Sequence, residues 1–265
     1  MLYGAMNFPV RPVLKEVEAI AALGFDYLEL TMDPPQAHHS TIREQRNDLL
    51  NALGRHGMKL VVHLPTFLGL GDLTGSIRDA SVNEMVSSLE VAAQLNPLKV
   101  VIHPAYVTGL AIFVAEQAAE SGLRSLAIIV ETAERLGLTL CIENMFPRTR
   151  SLVEPEDFDE VFRRFPSLKL TLDTGHANIG GKGSKRALDF VRRFPDRIGH
   201  IHASDNFGND DNHLPVGAGT VDFSKIAGAL KEIGYDGTVT LEVFSRDTDY
   251  LKISREKFKV LMQGK

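Results

Sequence analysis

The chain has 265 residues, of which 44% are hydrophobic and 24% are charged, and its formal net charge is −5. A chain of this length can bury a sizeable core without disulfides or a structural metal. Its single cysteine, Cys141, excludes an intramolecular disulfide and fits a reducing compartment, so we expect a cytoplasmic protein. The net negative charge gives no general attraction to nucleic acid. We expect no signal peptide and no membrane helix, which needs roughly 20 apolar residues in a row.

Short apolar or β-branched segments alternate with helical patterns along the whole chain. The predicted strands are 2–6, 25–30, 59–64, 98–103, 138–143, 168–173, 197–203 and 238–243. Glycines expected at helix C-termini precede four of these strands, at Gly24, Gly57, Gly137 and Gly234. The alternation predicts a closed (β/α)₈ barrel, a TIM barrel, as one domain over residues 1–265. The rival is an open doubly wound sheet, but no Gly-rich phosphate loop follows the first strand to favour it.

Seven of the eight predicted strands have a histidine, an aspartate or a glutamate as their last or next-to-last residue. These residues are Glu29, His63, His103, Glu143, Asp173, His202 and Glu242. In a (β/α)₈ barrel the carboxyl ends of the strands converge on one face, where the active sites of this fold lie. Burying several carboxylates and imidazoles together is costly unless a cation neutralises them. The pattern therefore predicts a divalent-metal site at the strand ends.

The residues two positions before these strand ends are mostly apolar or small. They are Tyr27, Val61, Val101, Cys141, Thr171, His200 and Thr240. Because residues two apart in a strand point the same way, they predict an inner barrel layer beneath the ionisable one. We interpret Cys141 as a small buried hydrophobe, and His200 as a core histidine or a partner of a metal ligand. His38, His39 and His56 are interpreted as surface or loop residues.

Three further ligand candidates lie in loops. His176 follows the sixth strand in LDTGHANIG, and Asp211 and His213 follow the seventh strand in DDNHLPVGAG. The whole set offers nitrogen and oxygen, with Cys141 one layer below it. Such ligands suit Zn, Mn, Co or Fe(II), whereas a site made only of oxygen would indicate Mg or Ca.

The motifs around these residues resemble the xylose-isomerase-like TIM-barrel superfamily over nearly the whole chain. They are GFDYLEL, VVIHP, CIEN, LDTGHANIG, HIHASDN, DNHLPVGAG and GYDGTVTLEV. That superfamily contains sugar phosphate isomerases and epimerases, ketose 3-epimerases and endonuclease IV-type AP endonucleases. The resemblance implies one metal held by Glu143, Asp173, His202 and Glu242 in the ketose epimerase branch, with His176 contacting substrate. In the endonuclease branch it implies three zinc ions held by nine residues: His63, His103, Glu143, Asp173, His176, His202, Asp211, His213 and Glu242.

The chain departs from the endonuclease branch in three motifs. That branch typically has H-x-N-D-[SA]-K after the seventh strand, where this chain has His202 followed by Ala203, Ser204 and Asp205. Its D-T-C-H motif is here D-T-G-H, and the Tyr-containing run after its third strand is here HLPTFLGLGDLTG. GFDYLEL, with Glu29, is typical of the isomerase and epimerase side. The departures weaken the match in DNA contacts and leave metal binding intact.

The leading hypothesis is isomerisation or epimerisation of a small sugar, a sugar phosphate or a related hydroxycarbonyl compound. One to three divalent ions (Zn, Mn or Co) would stabilise an enediolate, with Glu143 and Glu242 moving the α-proton. Substrate contacts are expected from Glu29, His176, Asn144 and Arg148; Asn144 could instead orient Glu143. Arg148 and Arg150, like Lys182, Lys185 and Arg186, either bind a phosphate or carboxylate or are solvated charges.

The alternative hypothesis is a phosphodiesterase of the AP endonuclease type with three zinc ions. It would have DNA as its partner, whereas the leading hypothesis has only a small carbohydrate. Neither reading predicts a membrane partner or an oligomeric state. The segment 65–77 is either a lid over the site or an ordinary surface loop.

Overall fold

Eight parallel strands close into a barrel in a computed structural model that describes residues 1–180 and 184–264. The strands are β1 (Leu2–Met6), β2 (Tyr27–Thr31), β3 (Lys59–His63), β4 (Val100–Ile102), β5 (Leu140–Glu143), β6 (Lys169–Asp173), β7 (Ile198–Ala203) and β8 (Thr238–Leu241). Each strand pairs with the next one in sequence, and β8 pairs with β1. The predicted (β/α)₈ barrel is therefore confirmed, and the open doubly wound sheet is excluded.

Helices connect the strands and cover the outside of the barrel. They are α1 (Val13–Ala22), α2 (His39–Glu44), α3 (Arg46–Arg55), α4 (Gly75–Ala93), α5 (Ala115–Arg135), α6 (Phe158–Arg164), α7 (Thr174–Asn178), α8 (Lys185–Arg193), α9 (Phe223–Glu232) and α10 (Asp249–Gln263). Single 3₁₀ segments lie at Gly109–Val114, Pro147–Thr149 and Pro155–Asp157. Among residues 1–180 and 184–264, no helix has the length and apolarity needed to cross a membrane.

Buried apolar side chains form three clusters among residues 1–180 and 184–264, and the two that involve the strands are expected for strands buried on both faces. The largest cluster lies between the barrel and its helices, with Leu28, Ile142, Phe158 and Phe258 fully buried there. A small cluster of Tyr27, Val61 and Val101 is separate from it and belongs to the inner layer of the barrel. Gly4 on β1 gives Tyr27 its space, because a Cβ at Gly4 would lie 2.1 Å from a ring carbon of Tyr27.

Candidate metal centre

Six of the predicted ligands lie at the carboxyl ends of the strands. His63, Glu143 and Asp173 are the last residues of β3, β5 and β6, and His202 is next to last in β7. The other two, His103 and Glu242, directly follow β4 and β8. Five of the six are at most 5% exposed, and the side chain of the sixth, His103, is 12% exposed. The barrel therefore brings the six side chains together where the strand-end pattern predicts them.

The loops bring in the other three predicted ligands. His176 lies on α7, whose first turn is capped by the Asp173 carboxylate, which accepts from the His176 backbone N–H at 2.6 Å. Asp211 and His213 lie between β7 and α9, in a segment fastened by backbone hydrogen bonds between Asp205 and Leu214. The Asp205 carboxylate also accepts from three backbone N–H groups of the same segment, at Gly217, Gly219 and Val221. This loop is thus held against the strand ends.

Glu143 is the centre of the cluster. Its Oε2 lies 3.2 Å from His103 Nε2, 3.6 Å from His63 Nε2 and 3.2 Å from His202 Nδ1. Its Oε1 lies 3.1 Å from His176 Nδ1. Two groups of possible ligands share it, one with His63 and His103 and the other with Asp173 and His202. The atoms that each group offers lie within 4.8 Å of one another.

Hydrogen bonds of the rings fix which nitrogen faces this cluster. Four histidines use Nδ1 for an oxygen outside the ligand atoms: His63 for Leu64 O at 2.8 Å, His103 for Tyr106 Oη at 2.5 Å, His176 for Asn144 O at 2.9 Å and His213 for Glu242 O at 3.2 Å. A ring that donates from Nδ1 keeps the lone pair of Nε2 free for a cation, as metal-binding histidines do. In these four rings, therefore, Nε2 is the nitrogen able to bind a cation.

His202 has the opposite orientation because of Glu29. His202 Nε2 donates to Glu29 Oε1 at 3.0 Å, so Nδ1 faces Glu143 and Glu242. Glu29 is fully buried, and its other oxygen contacts His200 Nε2 at 3.0 Å and the hydroxyl of Thr240. It does not line the cavity, so the structure places Glu29 under the site as a partner of His202, and not where a substrate contact was expected. His200, also fully buried, lies between Glu29 and Thr238.

Asn144 likewise has no free group for a substrate. Its Oδ1 accepts from the Asp173 backbone N–H at 2.8 Å, and its Nδ2 donates to Asp173 O at 3.1 Å. The side chain is fully buried and is absent from the cavity wall. The two hydrogen bonds of Asn144 therefore hold the end of β6 beside β5, and this contact positions Asp173 relative to Glu143.

The cluster fits a divalent cation. Four of its buried atoms have no hydrogen-bond partner within residues 1–180 and 184–264: Glu143 Oε2, Asp173 Oδ2, Asp211 Oδ1 and His202 Nδ1. Buried polar atoms normally have a partner, so these call for one that the chain does not supply. Two ligands at roughly 2.0–2.1 Å from a tetrahedral zinc ion lie about 3.3 Å apart. The distances of 3.1–3.3 Å from His202 Nδ1 to Glu242 Oε1 and from His176 Nε2 to Asp211 Oδ2 match that spacing.

Without a cation, protons must balance the buried carboxylates. Burial opposes a charge on His202 and His176, but the neighbouring carboxylates outweigh it and hold the pKa of both rings well above their usual range. Burial also opposes a charge on His213, yet Asp211 and Glu242 raise the pKa of that ring to about 9. Burial raises the pKa of Glu242 to about 8, although His202 counteracts it. A cation that binds here replaces protons, because its ligands must be deprotonated.

A cavity of about 1270 Å³ opens over the cluster. Its wall contains ligand candidates and four phenylalanines, Phe8, Phe67, Phe146 and Phe244. A volume of this order accommodates a small metabolite. The segment 65–77 lines part of the wall, and Thr66 is fixed there by two hydrogen bonds of 2.9 Å to the Asp33 carboxylate.

The arginines and lysines considered for phosphate binding have different locations. Arg148 lines the cavity, with its side chain 80% exposed and 3.2 Å from Asp210. Arg186 is buried and is committed to Glu154 and to the carbonyls of Ala177 and Ile179, so it has a structural role. Lys185 is an exposed partner of Asp189, and Lys182 lies outside the described residues.

The remaining histidines and the cysteine also have defined surroundings. His56 is a surface residue, 2.7 Å from Glu18. His38 lies in the connection before α2 with its side chain 33% exposed, and His39 begins that helix; their rings pack against each other and against Glu84 of α4. No local sequence signal connects a histidine pair with a glutamate that is 45 positions away. Cys141 is fully buried, and burial raises the pKa of its thiol to about 11, so it is an unreactive core residue.

Comparison with known families agrees with this architecture. The family model described as "Xylose isomerase-like TIM barrel" matches residues 17–263. The chain belongs to this family. As a xylose isomerase-like barrel, it also superposes on the crystal structure of a D-tagatose 3-epimerase-like protein with a TM-score of 0.87. That protein is 28% identical, and the superposition covers 99% of this chain and 97% of the other.

Two relatives of this xylose isomerase-like barrel extend over most of its length. The uncharacterized protein MJ1311 of Methanocaldococcus jannaschii is 30% identical over 97% of this chain and 92% of the relative. The L-ribulose-5-phosphate 3-epimerase UlaE of Escherichia coli O1:K1 is 25% identical over 89% of this chain and 84% of the relative.

Proposed function

We propose that this chain, as one domain over residues 1–265, is a divalent-metal-dependent isomerase or epimerase of a small sugar, sugar phosphate or related hydroxycarbonyl compound. The observation that carries the proposal is the placement of two buried carboxylates close to the same nitrogen. His202 Nδ1 lies 3.2 Å from Glu143 Oε2 and 3.1 Å from Glu242 Oε1, at the base of the cavity. The epimerases among the similar proteins support the same reaction class.

Each residue has a chemical task in this reaction. A bound Zn, Mn or Co ion would polarise the substrate carbonyl and stabilise the enediolate that forms when the α-proton leaves. Glu143 and Glu242 would remove the α-proton and return one, since their surroundings push their proton affinities in opposite directions. Burial raises the pKa of Glu242 to about 8; burial also acts on Glu143, but His202 and His103 hold the pKa of Glu143 well below its usual range. His176 and Arg148, both on the cavity wall, would contact the substrate.

Proton exchange in heavy water tests the reaction. The metal-loaded protein is incubated in D₂O with a panel of ketoses and ketose phosphates, and deuterium at the α-carbon is followed by NMR. We expect incorporation with at least one substrate and a loss of at least 100-fold in Glu143→Gln and Glu242→Gln, the scale of a lost general acid or base. Glu131→Gln, the same change on the exposed face of α5, is the matched control. If no member of the panel exchanges with the metal-loaded wild type, the proposal fails.

A second candidate function is phosphodiester hydrolysis with clustered zinc ions. The observation that favours it is the larger ligand set: His63 and His103 adjoin Glu143, His213 adjoins Glu242, and Asp211 adjoins His213. Within the described chain, however, Arg148 is the only lysine or arginine on the cavity wall, and DNA binding relies on many such cations. Nicking of an abasic oligonucleotide that is lost in Glu143→Gln, together with three zinc ions per chain, would favour this function.

A further inference from the structure

A second cluster of nitrogen and oxygen ligands lies at the mouth of the cavity. His38 directly precedes α2, His39 begins that helix, and Glu84 projects from α4. Glu84 Oε1 lies 2.7 Å from His38 Nε2 and 3.3 Å from His39 Nε2. The two imidazole rings pack with their centroids 4.2 Å apart and their planes 37° apart. Two imidazoles and one carboxylate oxygen thus converge on one place.

The contacts with Glu84 lack the alignment of hydrogen bonds. Within the described part of the chain, the buried Oε1 of Glu84 has no hydrogen-bond partner, although two ring nitrogens lie within 3.3 Å of it. Two ligands of one metal ion show the same poor hydrogen-bond alignment, because the lone pair of each is directed at the ion and not at the other ligand. The separation of 3.3 Å from His39 equals the spacing of about 3.3 Å expected across tetrahedral zinc. The 2.7 Å contact of His38 would have to open by roughly 0.6 Å to reach that same spacing.

In both rings Nε2 is the nitrogen beside Glu84, and the surroundings of Nδ1 bear on whether Nε2 can bind a metal ion. His38 Nδ1 accepts from the Ser40 backbone N–H at 3.3 Å, as the cap of α2, and lies 2.8 Å from the Ser40 hydroxyl. A cation at Nε2 requires the other tautomer, with the proton on Nδ1, and the Ser40 hydroxyl is placed to accept that proton. The buried Nδ1 of His39 has no hydrogen-bond partner within the described residues.

The cluster is accessible and faces the cavity. The side chains of His38 and Glu84 are 33% and 29% exposed, and both residues line the cavity wall. An ion could therefore enter from solvent. Three ligands on one side of an ion leave coordination positions free on its other side, as in catalytic zinc sites.

We propose that His38, His39 and Glu84 form a second divalent transition-metal site at the cavity mouth, separate from the centre around Glu143. Its ligands suit Zn, Co, Ni or Cu, and its free positions are available to water or to a hydroxyl oxygen of a molecule in the cavity. This proposal is independent of the reaction proposed above, because no residue is shared between the two sites.

Metal counting separates the two sites. The intact protein is dialysed to equilibrium against increasing Co²⁺, and bound cobalt is measured together with its visible absorption. Glu143→Gln should lose cobalt at the barrel centre but retain the equivalent at the mouth. The variant His38→Gln/His39→Gln and, separately, Glu84→Gln should lose one equivalent or bind it at least tenfold more weakly. His56→Gln, which changes an exposed histidine paired with Glu18, is the matched control and should bind cobalt like the wild type.

The result that overturns the proposal is a cobalt isotherm of the His38→Gln/His39→Gln and Glu84→Gln variants equal to that of the wild type. Loss of all bound cobalt in Glu143→Gln overturns it as well, because the mouth would then hold no ion of its own. Circular dichroism confirms that each variant is folded before its isotherm is compared. Glu84→Gln is nearly isosteric, so it still tests the site if the double histidine variant does not fold.

Discussion

The substitution Glu29→Gln should weaken metal binding at the barrel centre. The Glu29 side chain does not line the cavity, and glutamine has nearly the same size. Glu29 Oε1 accepts from His202 Nε2 at 3.0 Å, so Nδ1 is the nitrogen that offers its lone pair to a cation at the centre. In the wild type, three donors share the two carboxylate oxygens of Glu29: the rings of His200 and His202 and the hydroxyl of Thr240. A glutamine offers these donors only one acceptor oxygen. When its NH₂ faces His202, the ring must carry its proton on Nδ1, and the lone pair for the cation is lost.

The expected size of the effect follows from burial. Loss of a partner that orients a metal-bound histidine lowers metal affinity by about 10- to 100-fold, or about 1.4–2.7 kcal/mol. Glu29, His200 and His202 are all 0% exposed, so water cannot replace the missing acceptor. We therefore expect a loss near the upper end of that range.

Competition with a chromophoric zinc chelator measures the affinity of the wild type and of Glu29→Gln. The matched control is Glu16→Gln, because Glu16 is also a buried glutamate, 8% exposed, that accepts from a backbone N–H away from the barrel interior. The control should bind zinc within about twofold of the wild type. Equal zinc affinity of Glu29→Gln and wild type would show that Glu29 does not determine the tautomer of His202, and the reasoning would be refuted.

Two further predictions concern stability. Gly4→Ala should destabilise the barrel by about 1–3 kcal/mol in denaturant titrations, since its Cβ would lie 2.1 Å from the ring of the buried Tyr27. Gly54→Ala is the control: apart from neighbouring residues of its own helix, no described residue has an atom within 4 Å of the added Cβ, so the change should be neutral or stabilising. Equal losses in the two variants would contradict this. The metal-free protein should lose stability from about pH 7 to about pH 9. In the folded state the pKa values of His213 and Glu242 are about 9 and about 8, so both residues still hold protons that the unfolded chain has already released; this advantage disappears as the pH rises through these values. Thermal unfolding after EDTA dialysis checks this, and a melting temperature that rises over that interval would contradict it.

Much of the metal centre could be predicted from the sequence, because the carboxyl ends of all the barrel strands lie on one face and bring together residues that are far apart in the chain. His63, Glu143 and Asp173 are the last residues of their strands in the structure, so the residue types at the predicted strand ends were enough to locate them. Glu29 shows the limit of that method. β2 continues two residues beyond it, and Glu29 pairs with Val61 while Thr31 pairs with His63. Glu29 therefore lies one layer lower than the pattern implied, and composition alone did not reveal where the strand ended.

The cluster at the cavity mouth could not be predicted from the sequence for a different reason. His38 and His39 belong to a connection after β2, whereas Glu84 lies in the middle of a long helix after β3. Their approach depends on how α2 packs against α4, and no periodicity records that contact. The use of Asn144 to fasten the backbone of Asp173 was equally hidden, since an asparagine next to a ligand also fits a substrate contact.

A single oxygen atom, Glu143 Oε2, faces ligands of both groups at the barrel centre. An ion bound with His63 and His103 and an ion bound with Asp173 and His202 would draw on the same negative charge, so the first weakens the pull on the second. Loading would then be graded with metal concentration instead of all-or-none. Preparations with one and with two ions per chain would differ chemically at identical sequence, which makes the metal content of a sample part of any activity measured with it.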